Sequence, residues 1–401
     1  MSPELIDFFN IIFRYTHVVA AIMWIGNSLL FTWMEINLLK RDDDDDLIGY
    51  LDMLHGGGVF HLQKRQLRPN AIPKPLHWFY WQSYTTWLSG FALLVTYFFT
   101  RADTLILDPA KTDLPGYAGI LISLGGIFGG WFLFDLYWRS PLKNYVTAGG
   151  IFWFFMIVAY TTALDSVFNA RAVYLQVGMT LGSFMTANVF FHIIPNQKKI
   201  MKALQEGEEH SLNVGKAAKF RSLANHYITY PVIFMMLSAH FPILYGSEQN
   251  VLILALIIAA LIIVKLMMNQ RNSFKPWLAV LIGTFVATTA SIAAILSIPQ
   301  PSASQLSPAA EWGKAVFSQL GCVACHQGAN ISIAPNLSGL FGKTRELADN
   351  TEVLVDEAYL RESILAPNAK IAKGYASVMP IYGPIVNEAQ VSQLIAYIKE
   401  Y

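Results

Sequence analysis

The sequence predicts an all-α chain in two parts: a polytopic bundle of about eight transmembrane helices, then a small soluble helical domain. Three observations predict it. The 401 residues are 54% hydrophobic and only 14% charged. The apolar residues fall in blocks, and about 20 such residues make a helix that crosses a bilayer. After Pro299 the blocks stop and the composition becomes that of a soluble protein. The net charge of +1, with no basic tract interleaved with aromatics, gives no sign of a nucleic-acid partner.

Eight windows qualify as spans: 8–34, 79–100, 117–138, 145–165, 172–194, 227–245, 251–268 and 277–298. The first is no cleavable signal peptide, because it is too long, lacks a small-residue cleavage site and carries Arg14 and His17. Arg14, His17, Trp24, Ser28 and Glu35 recur at helical intervals along one stripe of that span, which must face protein or a cavity. Asp135, Asp165, His192, His226 and His240 are further ionisable groups in spans, where they are costly and often functional. Between the first two windows, Asp42 to Asp46 form an acidic run that reads as a solvated loop. His55-Gly56-Gly57-Gly58 follows, with His61, Gln63 and Lys64 just beyond. Three glycines let backbone N–H groups approach a ligand, although a plain flexible turn explains them equally well. Pro299 to Gln305 read as a short semi-extended linker. The expected organisation is therefore a membrane domain over 1–298, a linker over 299–308 and a soluble domain over 309–401.

Cys322-Val323-Ala324-Cys325-His326 is the most informative stretch. C-x-x-C-H is the attachment site of a c-type haem, with two thiols on the porphyrin and the histidine on iron. These are the only two cysteines, too few for a disulfide framework or a four-cysteine zinc site. Around them, Glu311 to Leu320 and Gln390 to Glu400 read as first and last helices. Gly313 and Phe317 on one, with Leu394 and Tyr397 on the other, would let the two cross closely, as in class I cytochromes c. Met379 is the only methionine of this domain and so the candidate sixth ligand, making His326 and Met379 the iron pair. A backbone carbonyl near Pro335 and Asn336 would orient the histidine. Covalent haem c attachment occurs outside the bacterial cytoplasm, so both termini and the soluble domain are expected in the periplasm, with the bundle in the inner membrane. Basic residues agree. They crowd 39–78 and 195–225 (Lys40, Arg41, Lys64, Arg65, Arg68, Lys74; Lys198, Lys199, Lys202, Lys216, Lys219, Arg221), whereas the periplasmic loops between spans hold only Arg101, Lys111 and Arg171.

Arg14 to Val18, Trp24 to Ser28, the His55-Gly56-Gly57-Gly58 loop with Gln63-Lys64, and His77-Trp78-Phe79 through Thr86 to Gly90 together resemble the membrane-bound bacterial urate oxidases. In that family an eight-helix domain is fused to a C-terminal cytochrome c, and the resemblance covers the whole chain. It implies oxidation of urate to 5-hydroxyisourate, with electrons leaving through haem c to a soluble cytochrome c or a terminal oxidase. Urate is a planar anion, so its site should offer a cation, aromatic faces and amide-like partners. His55, His61, Gln63, Lys64 and His77 are the candidates, with Arg65, Trp78, Trp81 and Gln82 nearby. Trp and Tyr there also suit an interfacial aromatic belt. A cytoplasmic-face site would lie about 30 Å of hydrocarbon from the periplasm. A relay is therefore conceivable: a b-type haem between His17 and His240, whose expected depths match. The alternative is that each histidine bonds to a neighbouring helix. Two other functions stay open. One is a membrane-anchored electron carrier. The other is a quinol-oxidising subunit, since Tyr359 to Asn368 resembles cytochrome c domains fused to oxidase subunits.

Overall fold

A computed structural model of the protein describes residues 3–40, 46–66, 68–69, 75–108, 111–208, 212–298, 306–326, 334–375 and 377–401. Arg41 with Asp42 to Asp45, Lys74 and the 299–305 linker lie outside the described residues.

Helix α1 (Pro3–Ile36) opens the membrane domain and runs antiparallel to α2 (Trp81–Leu93). His17 meets Thr86 near its middle, and Phe31 meets Phe79 towards the far end. Six helices among the described residues are long and apolar enough to cross a membrane: Phe8–Ile36, Gly116–Arg139, Val146–Asp165, Ala170–Gln205, Asn250–Gln270 and Trp277–Leu296. Eight were expected. The other two windows are helical but more polar. α2 buries Ser83, Thr86 and Ser89, and the Leu212–Leu237 helix buries Arg221, Asn225 and Thr229. These faces meet protein, so they do not need the apolar surface that lipid demands.

The Ala170–Asn188 helix is the hub. It packs on α2, on the Gly130–Arg139, Val146–Asp165 and Leu212–Leu237 helices, and on the Pro242–Tyr245 turn. Val173, Tyr174, Val177, Leu181 and Phe184 lie in the main core with Phe134, Leu164, Phe168, Met235 and Leu254. Some buried polar groups there are paired: Tyr174 donates to the Asn250 carbonyl at 2.7 Å, and Ser123 to Gln176 at 2.7 Å, whereas the Tyr245 hydroxyl and the Trp138 Nε1 have no hydrogen-bond partner. In contrast, α1 and the Trp277–Leu296 helix are peripheral and expose Ile11, Ile22, Ile282 and Phe285, as lipid-facing helices must. Three spans contain a wide π-turn, at Leu94–Phe98, Gly125–Gly129 and Val189–Ile193.

The all-α expectation needs a correction. The loop after α1 folds into an antiparallel hairpin of β1 (Leu47–His55) and β2 (Gly58–Arg65), with His55 paired to Gly58. Gly56 and Gly57 form its two-residue turn with φ of 61° and 81°. Positive φ at both positions suits the right-handed twist of a hairpin and favours glycine. Leu39 pairs with Tyr50, and the close approach of Gly49 to the Leu39 carbonyl (3.0 Å for an added Cβ) fastens the hairpin to the end of α1.

In the C-terminal domain the Pro308–Gln319 and Glu388–Glu400 helices cross as expected. Phe317 meets Tyr397 edge to face at 5.3 Å. A Cβ on Gly313 would overlap the Gln393 carbonyl oxygen and stand 2.8 Å from the Tyr397 Cβ. Gly313→Ala is therefore expected to force the helices apart at a cost of about 1–3 kcal/mol. Thermal unfolding of the full chain, followed by circular dichroism in the Soret region, checks this. Asn387 and Gln390 form a reciprocal cap on the last helix. A short ladder of β3 (Thr344–Glu346) and β4 (Glu352–Leu354) is a second departure from all-α.

Candidate functional site

The helix crossing leaves a largely apolar pocket beside it. Phe317, Leu320, Leu340, Leu360, Ile364, Leu394 and Ile398 line it, and Cys322, Cys325, His326 and Met379 share the same wall. The His326 Nδ1–H donates to the Pro335 carbonyl at 2.9 Å, so Nε2 carries the free lone pair. Burial holds this imidazole below its ordinary pKa, against the opposing pull of the Pro335 carbonyl, which favours the neutral form that ligates a metal. Burial likewise pushes the Cys322 thiol up. Two thiols, an oriented imidazole and a thioether in an apolar pocket are a donor set that fits haem c. Arg345 and Tyr375 also line the pocket and were missed in the sequence. Arg345 acts electrostatically on both His326 and Tyr375. It sits on β3, a strand too short to show in a hydropathy pattern.

The membrane domain holds two polar centres. In the first, Asp135 accepts from His192 Nε2 at 2.5 Å and Arg221 at 2.7 Å, and pairs with Arg139 at 2.6 Å. Arg221 continues to Asn188, which donates to Asn225, which donates to the Met185 carbonyl. Sequence reasoning marked Asp135 and His192 but placed Arg221 in a cytoplasmic loop. It is 4% exposed and belongs to the interior.

In the second, Thr32 Oγ1 of α1 lies 3.3–3.4 Å from the ring nitrogens of His226. Tyr230, one turn along from His226, offers its ring to the Lys265 amine at 5.3 Å. Glu35, one turn beyond Thr32, pairs with Lys64 of β2. Lys265 went unmarked because one lysine near the end of an apolar span reads as a snorkelling residue.

The remaining candidates are scattered. His55 is exposed at the hairpin tip, and no added Cβ on Gly56, Gly57 or Gly58 meets another atom. Gly56 and Gly57 make the turn, with open space beside all three glycines. Along one face of the hairpin Arg65 donates to Gln63 (3.1 Å), Gln63 to His61 Nε2 (3.2 Å), and His61 Nδ1 to Asp52 (2.5 Å). Asp52 is the cross-strand neighbour of His61. His77 is exposed ahead of α2, in a cluster where Trp78 meets Tyr80, and Tyr80 meets Trp81. Gln82 lies in the first turn of α2, and its Oε1 is buried with no partner.

The structure lends the His17–His240 pairing no support. His17 Nδ1 donates to the Thr86 carbonyl at 2.8 Å, with its ring against Gly90. His240 is exposed on the Ser238–His240 turn. Among the described residues no hydrogen bond or ring contact joins them, and the arrangement gives a b-type haem no support. The helix-bonded alternative is what His17 displays. Nor does any group of three or more His, Cys, Asp or Glu side chains among the described residues converge as a metal site.

Comparison with known proteins accounts for both parts. The cytochrome c family matches residues 310–401. Cytochrome c2 of Blastochloris viridis is 34% identical over 101 residues, 22% of this chain and 75% of that protein. The urate oxidase N-terminal family matches residues 3–297. Nearly the whole membrane domain is thus accounted for by one family, and the chain belongs to it: a urate oxidase N-terminal family member with a C-terminal cytochrome c domain.

Proposed function

We propose that the protein is a membrane-bound oxidoreductase that converts urate to 5-hydroxyisourate and delivers the electrons to the respiratory chain. The carrying observation is the fusion itself: a urate oxidase-type domain over 3–297 joined to a cytochrome c domain over 310–401. Urate plus water gives 5-hydroxyisourate, two protons and two electrons. The pocket implies haem c, which supplies a one-electron outlet when bound; Cys322 and Cys325 would hold it covalently, with His326 and Met379 on its iron. The Pro335 carbonyl fixes the His326 ring, and the apolar wall excludes water from it.

The proposal keeps eight crossings of the inner membrane. The two more polar helical windows bury their polar faces against neighbouring helices, and both termini with the cytochrome domain (309–401, after the membrane domain 1–298 and linker 299–308) face the periplasm. The basic residues of the 39–78 and 195–225 loops support that orientation. Urate then enters from the hairpin side. The row Arg65–Gln63–His61–Asp52 offers a cation, an amide and an imidazole held by a carboxylate, and these suit the edge of a purine anion. The Lys64–Glu35 pair fastens the hairpin to α1 rather than leaving its amine to bind substrate.

The test is anaerobic addition of urate to the oxidised, purified full chain. The expected result is growth of the haem c α-band, with about two haem equivalents reduced per urate and 5-hydroxyisourate formed. Reduction by a quinol but not by urate would overturn the proposal in favour of a quinol-oxidising subunit. A chain reduced by neither, yet oxidising and reducing soluble cytochrome c, would be an electron carrier.

A further inference from the structure

The strongest unassigned feature is a cation inside the membrane domain. Lys265 lies within the Asn250–Gln270 helix and is 3% exposed. No carboxylate pairs with it among the described residues. Its amine faces the Tyr230 ring, 5.3 Å from the centroid. A buried charge without a counter-charge is costly, and such groups are normally paired or ligand-bound.

The surroundings are chemically specific. His226 lies on the same face as Tyr230, one helical turn away, and both Lys265 and Glu35 act on it electrostatically. Thr32 holds the His226 ring from α1. Glu35, which acts on His226, is already paired with Lys64. Three helices thus bring together an uncompensated ammonium, an imidazole, a hydroxyl and an aromatic ring, with the carboxylate tied to the hairpin. A ligand that carries negative charge and further polar edges would complete this set.

We propose that Lys265 is the cation that binds the anionic purine substrate, with His226 and Thr32 as its polar neighbours. This rests on the urate reading above and narrows it to an interior site beneath the anchored hairpin.

Lys265→Met tests it, because methionine matches the length of lysine and removes only the charge and donors. Urate binding by the detergent-solubilised full chain is measured by calorimetry, beside the thermal unfolding temperature with and without urate. Dithionite reduction of haem c serves as the control. A charge-assisted hydrogen bond supports an expected weakening of at least about tenfold in urate Kd. The Met variant should also unfold no lower than the unaltered protein without urate, and urate should no longer raise its unfolding temperature. Unchanged urate affinity in Lys265→Met overturns the inference while the function stands. A Met variant that fails to insert, or that unfolds at a lower temperature without urate, shows that the amine is already satisfied in the free protein, and overturns it as well. Absence of urate binding by the unaltered protein overturns both the inference and the function on which it rests.

Discussion

Replacing Asp135 by leucine is expected to cost the membrane domain about 3–5 kcal/mol, as breaking one side of a buried ion pair usually does. Asp135 is the only carboxylate that joins Arg221, His192 and Arg139 among the described residues. Without it Arg221, 4% exposed and held otherwise by Asn188, is left as a buried charge without its partner. Denaturant unfolding in mixed micelles measures the loss. Adding Arg221→Met to Asp135→Leu should recover most of it, because an apolar pair replaces a well-packed ion pair at little cost. If the double variant is as unstable as the single one, the network matters through its hydrogen bonds to Asn188 and Asn225 and not through charge.

The second large effect is expected at His326. His326→Ala removes the imidazole that the Pro335 carbonyl orients within the pocket. Urate-driven growth of the α-band should fall to background, while the membrane domain still inserts. Pro335 itself contributes a carbonyl, which any residue would supply, so its substitution should perturb the signal far less. Urate turnover at the unaltered rate in His326→Ala would show that the cytochrome domain is not the electron outlet.

Much of the fold was legible because its causes are local. Six apolar blocks became six long helices with ends within a few residues of those expected, except that the 172–194 block runs on as helix to Gln205. Gly313 and Phe317 marked the helix crossing, since a helix pair that close tolerates only glycine at the contact. The hairpin was misread although its signal was present. Gly56-Gly57 between two mixed apolar and polar runs is a hairpin turn, but three consecutive glycines next to a histidine read equally as a ligand loop or a plain flexible turn. The membrane-domain centres were legible only in part. Asp135, His192 and His226 stood out as ionisable residues within apolar spans. Arg221 precedes the expected 227–245 span and Lys265 lies in the last two turns of its helix, where a basic residue ordinarily reaches the interface. Their burial is set by neighbouring helices, which no single segment of sequence reveals. The pairing of His17 with His240 rested on matching depth alone. Matching depth along two helices says nothing about which way each side chain turns.

The wide turn at Val189–Ile193 gives this chain a dependence on residue count as well as on residue identity. Such a turn holds one residue more than a regular helix of equal rise, and each residue of α-helix advances the direction of the side chains by about 100°. The surplus residue therefore acts as a fixed twist: it sets the bearing of everything between it and Gln205, beginning with His192 and its bond to Asp135. Shortening the segment by one residue would leave every neighbour chemically unchanged and point each of them at the wrong part of the bundle.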